Sequence, residues 1–229
     1  MSEQTNKVNE AIFRGRIASI RGKGVNGSLV IACPMVTTTN KGGKLENSVV
    51  TNFPALDFNK NTTTKDIPQN FKVGDHVVAK GYVQTYFRMD EHTGEVQETT
   101  GIYIRELLHD NSKMTNAFGA EGRYFPEAQN EVYLSGPVAG ISKRSVNAKN
   151  PNFAIVQLRL DLSVERQNMV NALYFRAPQS AINGIRIGDT VDILAMIQTA
   201  DIKKEKKSTT GYQSIVVMDM AFHSEKSDQ

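Results

Sequence analysis

The chain has 229 residues, of which 39% are apolar and 22% are charged, and its formal net charge is +3. This length suits one large or two modest globular domains, since domains usually span roughly 100–200 residues. The composition excludes collagen-like and low-complexity chains, and no apolar run approaches the roughly 18 residues of a membrane helix.

The first half of the chain predicts five β-strands and one short helix or turn. The strands cover residues 11–20, 28–37, 47–58, 76–88 and 101–108, and the helix or turn lies near 64–72. Alternation in the first strand places Ala11, Phe13, Gly15 and Ile17 on one face. Five strands with a helix after the third is the plan of the OB fold, a small β-barrel that binds oligonucleotides or oligosaccharides.

The second half repeats this plan after a linker. Strands are predicted over 131–142, 153–165, 169–176, 190–203 and 212–222, with a helix or turn in 180–189. We therefore predict an all-β protein of two tandem five-stranded OB barrels. The predicted boundaries are 1–108 for the first domain, 109–129 for the linker, 130–222 for the second domain and 223–229 for a short polar tail.

Two sequence blocks support the duplication. NEAIFRGRIASI at 9–20 matches NEVYLSGPVAGI at 130–141, and VGDHVVAKGYVQT at 73–85 matches IGDTVDILAMIQT at 187–199. The offset falls from 121 to 114 residues between the blocks, which a shorter surface loop in the second copy would explain. Internal self-similarity of this kind indicates two copies of one structural unit.

Both copies resemble the bacterial-type single-stranded DNA-binding protein family. The shared pattern is Asn, an apolar residue and Gly in the first strand, then Gly-Asp, alternating valines and Gln-Thr in the fourth. The resemblance implies binding of single-stranded DNA with little sequence preference during replication, recombination or repair, without catalysis. It also implies a homodimer in which two tandem chains supply four barrels, and partners among replication or recombination proteins. The absence of tryptophan indicates a phage or plasmid version.

Single-strand binding needs cations along the phosphates and flat rings on which bases stack. In the fourth strand, Val77, Ala79, Gly81 and Val83 fall on the core face. The outward positions predict a stacking platform made of Lys80, Tyr82, Tyr86 and Arg88. The alternative is that the two tyrosines cap the sheet or fill a subunit contact.

Further cations are predicted to follow the strand. The first copy supplies Arg14, Arg16, Arg21 and Lys23, and its hairpin supplies Lys41 and Lys44. The second copy supplies the cations Lys143, Arg144, Arg159, Arg176, Lys203 and Lys204, together with the aromatic ring of Tyr174. The alternative for each of these charged residues is that it lies on the surface and contacts only solvent. Where the first copy has Lys80 and Tyr82, the second has Leu194 and Met196, which predicts tighter binding by the first barrel and a domain or subunit interface at the second.

Other classes of function find little support in the sequence. Gly22-Lys-Gly24-Val-Asn-Gly27 fits a dinucleotide-binding pattern, but the β-prone segment after it, with Pro34, cannot begin the helix that such a site needs. Neither a nucleophile elbow nor a metal-ligand cluster appears, so we expect no enzyme, metal or cofactor.

Cys33, the single cysteine, is predicted to be a buried thiol. The polar N-terminus lacks a signal peptide's apolar block and predicts a cytoplasmic protein. A non-enzymatic interaction or structural OB protein of a mobile element is the rival hypothesis.

Overall fold

The computed structural model describes residues 7–23, 25–41, 44–89, 93–112, 117–119, 122–124, 127–145, 154–177, 183–200 and 212–223. Within these ranges the chain forms β-strands and the short helix α1 (Ile67–Asn70), and residues 183 and 184 are helical as well. The strands are β1 (Val8–Lys23), β2 (Asn26–Lys41), β3 (Lys44–Asn52), β4 (Ala55–Phe58), β5 (His76–Met89), β6 (Val96–His109), β7 (Ala117–Gly119), β8 (Gly122–Tyr124), β9 (Gln129–Ser145), β10 (Ala154–Asp161), β11 (Met169–Ala177), β12 (Thr190–Ala200) and β13 (Tyr212–His223). The predicted all-β class is confirmed.

Strands β1 to β6, which we call the first half, pair in a closed ring. β1 pairs with β2, β2 with β4, β4 with β6, β6 with β5, and β5 again with β1. The β4–β6 pair is parallel and the others are antiparallel. β3 lies outside the ring and continues β2 as a hairpin arm.

Strands β9 to β13, the second half, close in the same order. β9 pairs with β10, β10 with β11, β11 with β13, β13 with β12, and β12 with β9. The single parallel pair is again the one between the third and fifth strands of the ring. Residues about 115 apart in sequence therefore occupy matching places in the two halves.

The interior of each half follows the alternation expected of its strands. Ala11, Phe13 and Ile17 of β1 and Val77 and Ala79 of β5 are all buried, as the predicted faces require. The second half buries Val132, Leu134, Val191, Ile193 and Ala195 at matching places. Cys33 is buried too, and burial raises the pKa of its thiol to about 12, because an apolar environment disfavours the thiolate.

Two predicted elements differ from the structure. The strand predicted over 47–58 is two strands, β3 and β4, because Pro54 between them has no N–H to give to a ladder; its carbonyl accepts from the Ile31 N–H at 3.1 Å. The predicted linker contains the β7–β8 hairpin.

The glycine pattern lies where the sequence predicts it, between two strands. Gly22 and Gly27 face each other across the turn between β1 and β2, so a strand and not a helix follows the pattern.

Strand β1 joins the halves by pairing antiparallel with β9, from Val8 opposite Ser135 to Arg14 opposite Gln129. Where β1 leaves β5, the side-chain amide of Asn9 donates to the Val83 carbonyl at 2.7 Å and accepts from its N–H at 2.9 Å. Asn130 makes the same two bonds to Ile197. A side-chain amide carries both a donor and an acceptor and can therefore replace one backbone unit of a ladder.

Two other asparagines form hydrogen bonds from one half to the other. Asn168 accepts from the Thr85 N–H at 2.9 Å and donates to the Val83 carbonyl at 3.0 Å. Asn52 accepts from the N–H of Thr199, the residue that matches Thr85, at 3.1 Å. Both asparagines are buried. The contacts between the halves are thus repeated with approximate twofold symmetry.

Candidate nucleic-acid interface

The residues predicted to form a stacking platform lie on the outer face of β5. Lys80, Tyr82 and Tyr86 alternate with buried residues and lie on the outside of the ring. Tyr82 stacks on Tyr103 of β6, with ring centroids 5.7 Å apart, and the guanidinium of Arg105 lies 4.9 Å from the Tyr82 ring centroid. Aromatic rings beside a cation are the groups that bind single-stranded nucleic acids without sequence preference.

The sequence prediction omitted Tyr103 and Arg105. Their signal was available, because strand alternation in β6 buries Ile102 and Ile104 and turns Tyr103 and Arg105 outward. A bulge then shifts the register, so that Gly81 faces Ile104 while Lys80 faces Glu106. Arg105 is the extra residue of this bulge, and the alternation shifts by one residue after it, so that Leu107 and not Glu106 is buried.

Tyr86 and Tyr103 flank a glycine. A Cβ placed on Gly101 would lie 3.1 Å from Cε1 of Tyr86, 3.4 Å from Cε2 of Tyr103 and 3.6 Å from Oδ2 of Asp57. Burial raises the pKa of the Asp57 carboxyl. It also raises the pKa of Tyr103, with smaller contributions from Tyr86 and Asp57, because each charged form loses solvation.

Charges around the platform are mixed. Lys80 lies 3.6 Å from Glu106, and both side chains are largely exposed, so this ion pair contributes little to stability. Arg88 is exposed near the end of the β5–β6 hairpin. On the opposite face of the same arm, Phe87 and Met89 are exposed as well.

Two of the predicted arginines of β1, Arg14 and Arg16, already have partners in the protein. Arg14 Nε donates to Asp110 at 2.6 Å and its Nη2 donates to the Ser112 hydroxyl at 2.6 Å. The hydrogen bond from Arg14 lowers the pKa of the Asp110 carboxyl to about 2. Arg16 lies 3.0 Å from Nε2 of His76, whose pKa is lowered by burial and by the Arg16 charge.

The other cations of the first half lie at the ends of strands. Arg21 and Lys23 are exposed where β1 turns into β2, and Lys44 is exposed at the start of β3. Lys41 ends β2, and its side chain lies outside the described part of the structure. Neighbouring strands place Arg21 opposite Ser28 and Ser28 opposite Asp57, so Arg21 lies two strand spacings from the Asp57 carboxylate, about 10 Å.

Among the predicted residues of the second half whose side chains the structure describes, no comparable cluster forms. Lys143 is exposed, Arg159 forms an ion pair with Glu98 of β6 at 2.7 Å, and Tyr174 packs against the core. Lys203 and Lys204 lie outside the described residues, as do the side chains of Arg144 and Arg176.

The outer face of β12 and β13 carries apolar side chains at the places of the predicted platform, with Asp192 and Asp219 beside them. Leu194 and Met196 are half-buried at the places of Lys80 and Tyr82. Met196 faces Val216, and Met218 is the extra residue of the matching bulge. A groove of about 240 Å³ lies beside Leu194 and Tyr133 and reaches Val8 of β1.

Comparison with solved structures gives full-length matches. The wild-type single-stranded DNA-binding protein from Thermus aquaticus is similar with a TM-score of 0.63 and 14% identity, over 97% of this chain and 96% of that chain. A deletion mutant of the same protein matches with a TM-score of 0.64 and 15% identity over 96% of each chain. The chain shares this fold. No family model and no curated protein matches the sequence.

No helix among the described residues is long and apolar enough to cross a membrane. Within the same ranges, His, Cys, Asp and Glu side chains form no group of three or more that could hold a metal ion.

Proposed function

We propose that this chain binds and protects single-stranded DNA with little sequence preference, in the cytoplasm and without catalysis, during replication, recombination or repair. The observation that carries the proposal is the cluster of Tyr82, Tyr103 and Arg105 on a fold shared with a single-stranded DNA-binding protein over the full chain. Stacked rings beside a guanidinium suit exposed bases. A duplex hides the faces of its bases, so this cluster favours single strands.

The strand would contact bases at β5 and β6 and phosphates at the exposed cations beside them. Arg105, Arg88 and Arg21 are the cations that we assign to the phosphates. Arg14 is better explained as a structural residue, because its guanidinium is held by Asp110 and Ser112 and would have to leave both to bind a phosphate.

The two rings of strands would act as tandem OB barrels with different tasks. We propose that the second half contributes protein contacts through Leu194 and Met196, and that the chain forms a homodimer. Apolar side chains gathered on an outer sheet face commonly mark protein interfaces. Replication or recombination proteins are the further partners that this function would require.

Binding to a labelled oligo-dT tests the proposal. An oligonucleotide of about 35 nucleotides is long enough for two barrels at roughly 4–16 nucleotides each. Fluorescence anisotropy should show binding whose log K falls linearly with log salt, by about 0.7 for each phosphate contacted. Absence of binding at low salt would contradict the proposal. Mass measurement of the complex gives the stoichiometry and tests the homodimer.

A further inference from the structure

The loop between β4 and α1 carries three consecutive threonines that bind the backbone of β6. The Thr62 hydroxyl donates to the Ile104 carbonyl at 2.9 Å. Thr63 donates to the Arg105 carbonyl twice, from its N–H at 2.8 Å and from its hydroxyl at 2.7 Å. We call Thr62, Thr63 and Thr64 the threonine clamp. It lies along the edge of β6 opposite β5, where the loop takes the place of a neighbouring strand beyond the short pairing with β4.

The threonine clamp follows the bulge of β6. The Thr64 hydroxyl donates to the Leu107 carbonyl at 3.0 Å and accepts from the Leu107 N–H at 2.8 Å. Successive threonines therefore bond to residues 104, 105 and 107, and the step over Glu106 comes where the register between β5 and β6 shifts. A bulge one residue further along β6 would not present the same carbonyls to the clamp, so the clamp fixes the bulge at Arg105.

The position of the bulge decides where Arg105 points. In a regular strand, the burial of Ile104 would turn Glu106 inward. The bulge instead leaves Arg105 and Glu106 outside and buries Leu107. The Arg105 guanidinium lies 4.9 Å from the Tyr82 ring centroid and forms no ion pair with any described residue, so the direction of its backbone decides which group it can reach.

The clamp is held in place by bonds within its own loop. Thr62 is buried, and its hydroxyl accepts from the Asn59 N–H at 3.1 Å. The Lys65 ammonium donates to the Thr62 carbonyl at 2.7 Å and to the Lys60 carbonyl at 3.3 Å. Because the loop and the bulge are ordered in the free protein, binding a ligand at Arg105 costs less conformational entropy.

Resting on the proposed binding of single-stranded DNA, we propose that the threonine clamp is a positioning element for that activity. The clamp fixes the bulge, and the bulge directs Arg105 toward the phosphate beside the base that stacks on Tyr82. The threonines act through Arg105 and need not touch the strand themselves. Loss of the clamp should therefore remove one phosphate contact while stacking on Tyr82 continues.

The paired substitution Thr63→Val and Thr64→Val removes two hydroxyls and keeps the shape of both side chains. The affinity of the intact chain for oligo-dT should fall about tenfold. The slope of log K against log salt should become shallower by about 0.7, the value for one phosphate of a single strand. Thr63→Ser with Thr64→Ser keeps both hydroxyls and should restore affinity and slope.

Arg105→Met supplies the readout that a purely structural role would not move. This substitution alone should reduce affinity and slope as the two valines do, and the valines should cause no further loss in a chain that already carries it. If the paired valine variant fails to fold by circular dichroism, Thr64→Val alone is measured in the same way.

Thr37→Val is the matched control, because it removes a threonine hydroxyl that donates to the Ser48 carbonyl at 3.2 Å on the β2–β3 arm. It should leave affinity and slope unchanged. An unchanged slope in the valine variant, or an equal loss with and without Arg105, would overturn the inference and leave the proposed function standing. Failure of the unmodified chain to bind oligo-dT would remove the proposed function, and this inference with it.

Discussion

The two halves of the chain bury similar cores and present different surfaces at matching places. Lys80 faces Glu106 in the first half, and Leu194 faces Asp219 in the second. Tyr82 faces Tyr103, whereas Met196 faces Val216. The bulge in the fifth strand of each ring carries Arg105 in one half and Met218 in the other.

This comparison separates the requirements of the fold from those of the surface. Backbone pairing, the bulge and the asparagine contacts recur in both halves because they close each ring and join it to the other. The side chains on the outer faces do not have these roles. They are aromatic and cationic in the first half and mainly apolar in the second half. The difference supports a division of tasks in which the first half binds the strand and the second half binds protein.

The largest expected effect is a loss of stability when the asparagine contacts between the halves are removed. Asn168→Ala removes two buried hydrogen bonds between the halves, and we expect a loss of about 3 kcal/mol in the free energy of unfolding. Asn52→Ala at the matching place should cost about 1–2 kcal/mol, since it removes one such bond. Chemical denaturation measures both. Unchanged stability in either variant would break the symmetry described for the interface.

The next effect distinguishes the two surfaces. Tyr82→Ala should weaken binding of an oligonucleotide by about 1–3 kcal/mol, the range for loss of one stacking ring, whereas Met196→Ala should leave it nearly unchanged. Anisotropy titration at one fixed salt concentration measures both variants. Equal losses from the two substitutions would show that the halves bind alike.

Arg14 gives a pH-dependent contrast, because its matching residue in the second half is Ser135. The Asp110 pKa is depressed to about 2 from its ordinary value of 3.8. The Arg14–Asp110 pair therefore contributes its full stability above the ordinary pKa of the carboxyl. This contribution is lost as the pH falls toward the pKa of Asp110 in the folded protein. Arg14→Met should cost about 2 kcal/mol near neutral pH, and its stability should approach that of the unmodified protein in acid. A cost independent of pH would contradict the ion pair.

A substitution of Asp57 should have the smallest effect on the free energy of unfolding, and it should stabilise the protein where Arg14→Met destabilises it. Burial raises its pKa, so the ionised carboxylate destabilises the folded state near neutral pH, and protonation removes that penalty as the pH falls through the raised pKa. Asp57→Asn should therefore stabilise the protein by under about 1 kcal/mol near neutral pH, with a smaller gain in acid. Thermal unfolding at two pH values measures this. A destabilised variant would show that the carboxylate has a favourable partner.

Strand alternation carries most of what the sequence could predict. It placed Phe13, Ile17 and Val77 inside and Tyr82 and Tyr86 outside, because the side-chain period of a strand is two. The same alternation turns Tyr103 and Arg105 outward, but the prediction took its platform from β5 alone. It merged β3 with β4 because the effect of Pro54 on the ladder was not considered. The predicted domain boundaries stay a prediction.

Contacts between distant segments could not be predicted in the same way. Nothing local to Asn52 or Asn168 indicates that each meets a threonine of the other half, roughly a hundred residues or more away. The partners of Arg14 and Arg159 were missed for the same reason, since their carboxylates belong to the end of the first half and to β6. Charge pattern alone therefore does not reveal which cations already have partners within the chain.

Exchanging the outer faces tests the division of tasks most directly. One variant of the intact chain carries Lys80→Leu, Tyr82→Met and Arg105→Met, and its counterpart carries Leu194→Lys, Met196→Tyr and Met218→Arg, with folding of both verified by circular dichroism. Our account predicts that the first variant loses at least about tenfold in affinity for oligo-dT, and that the second keeps its affinity. Full affinity in the first variant would contradict the account.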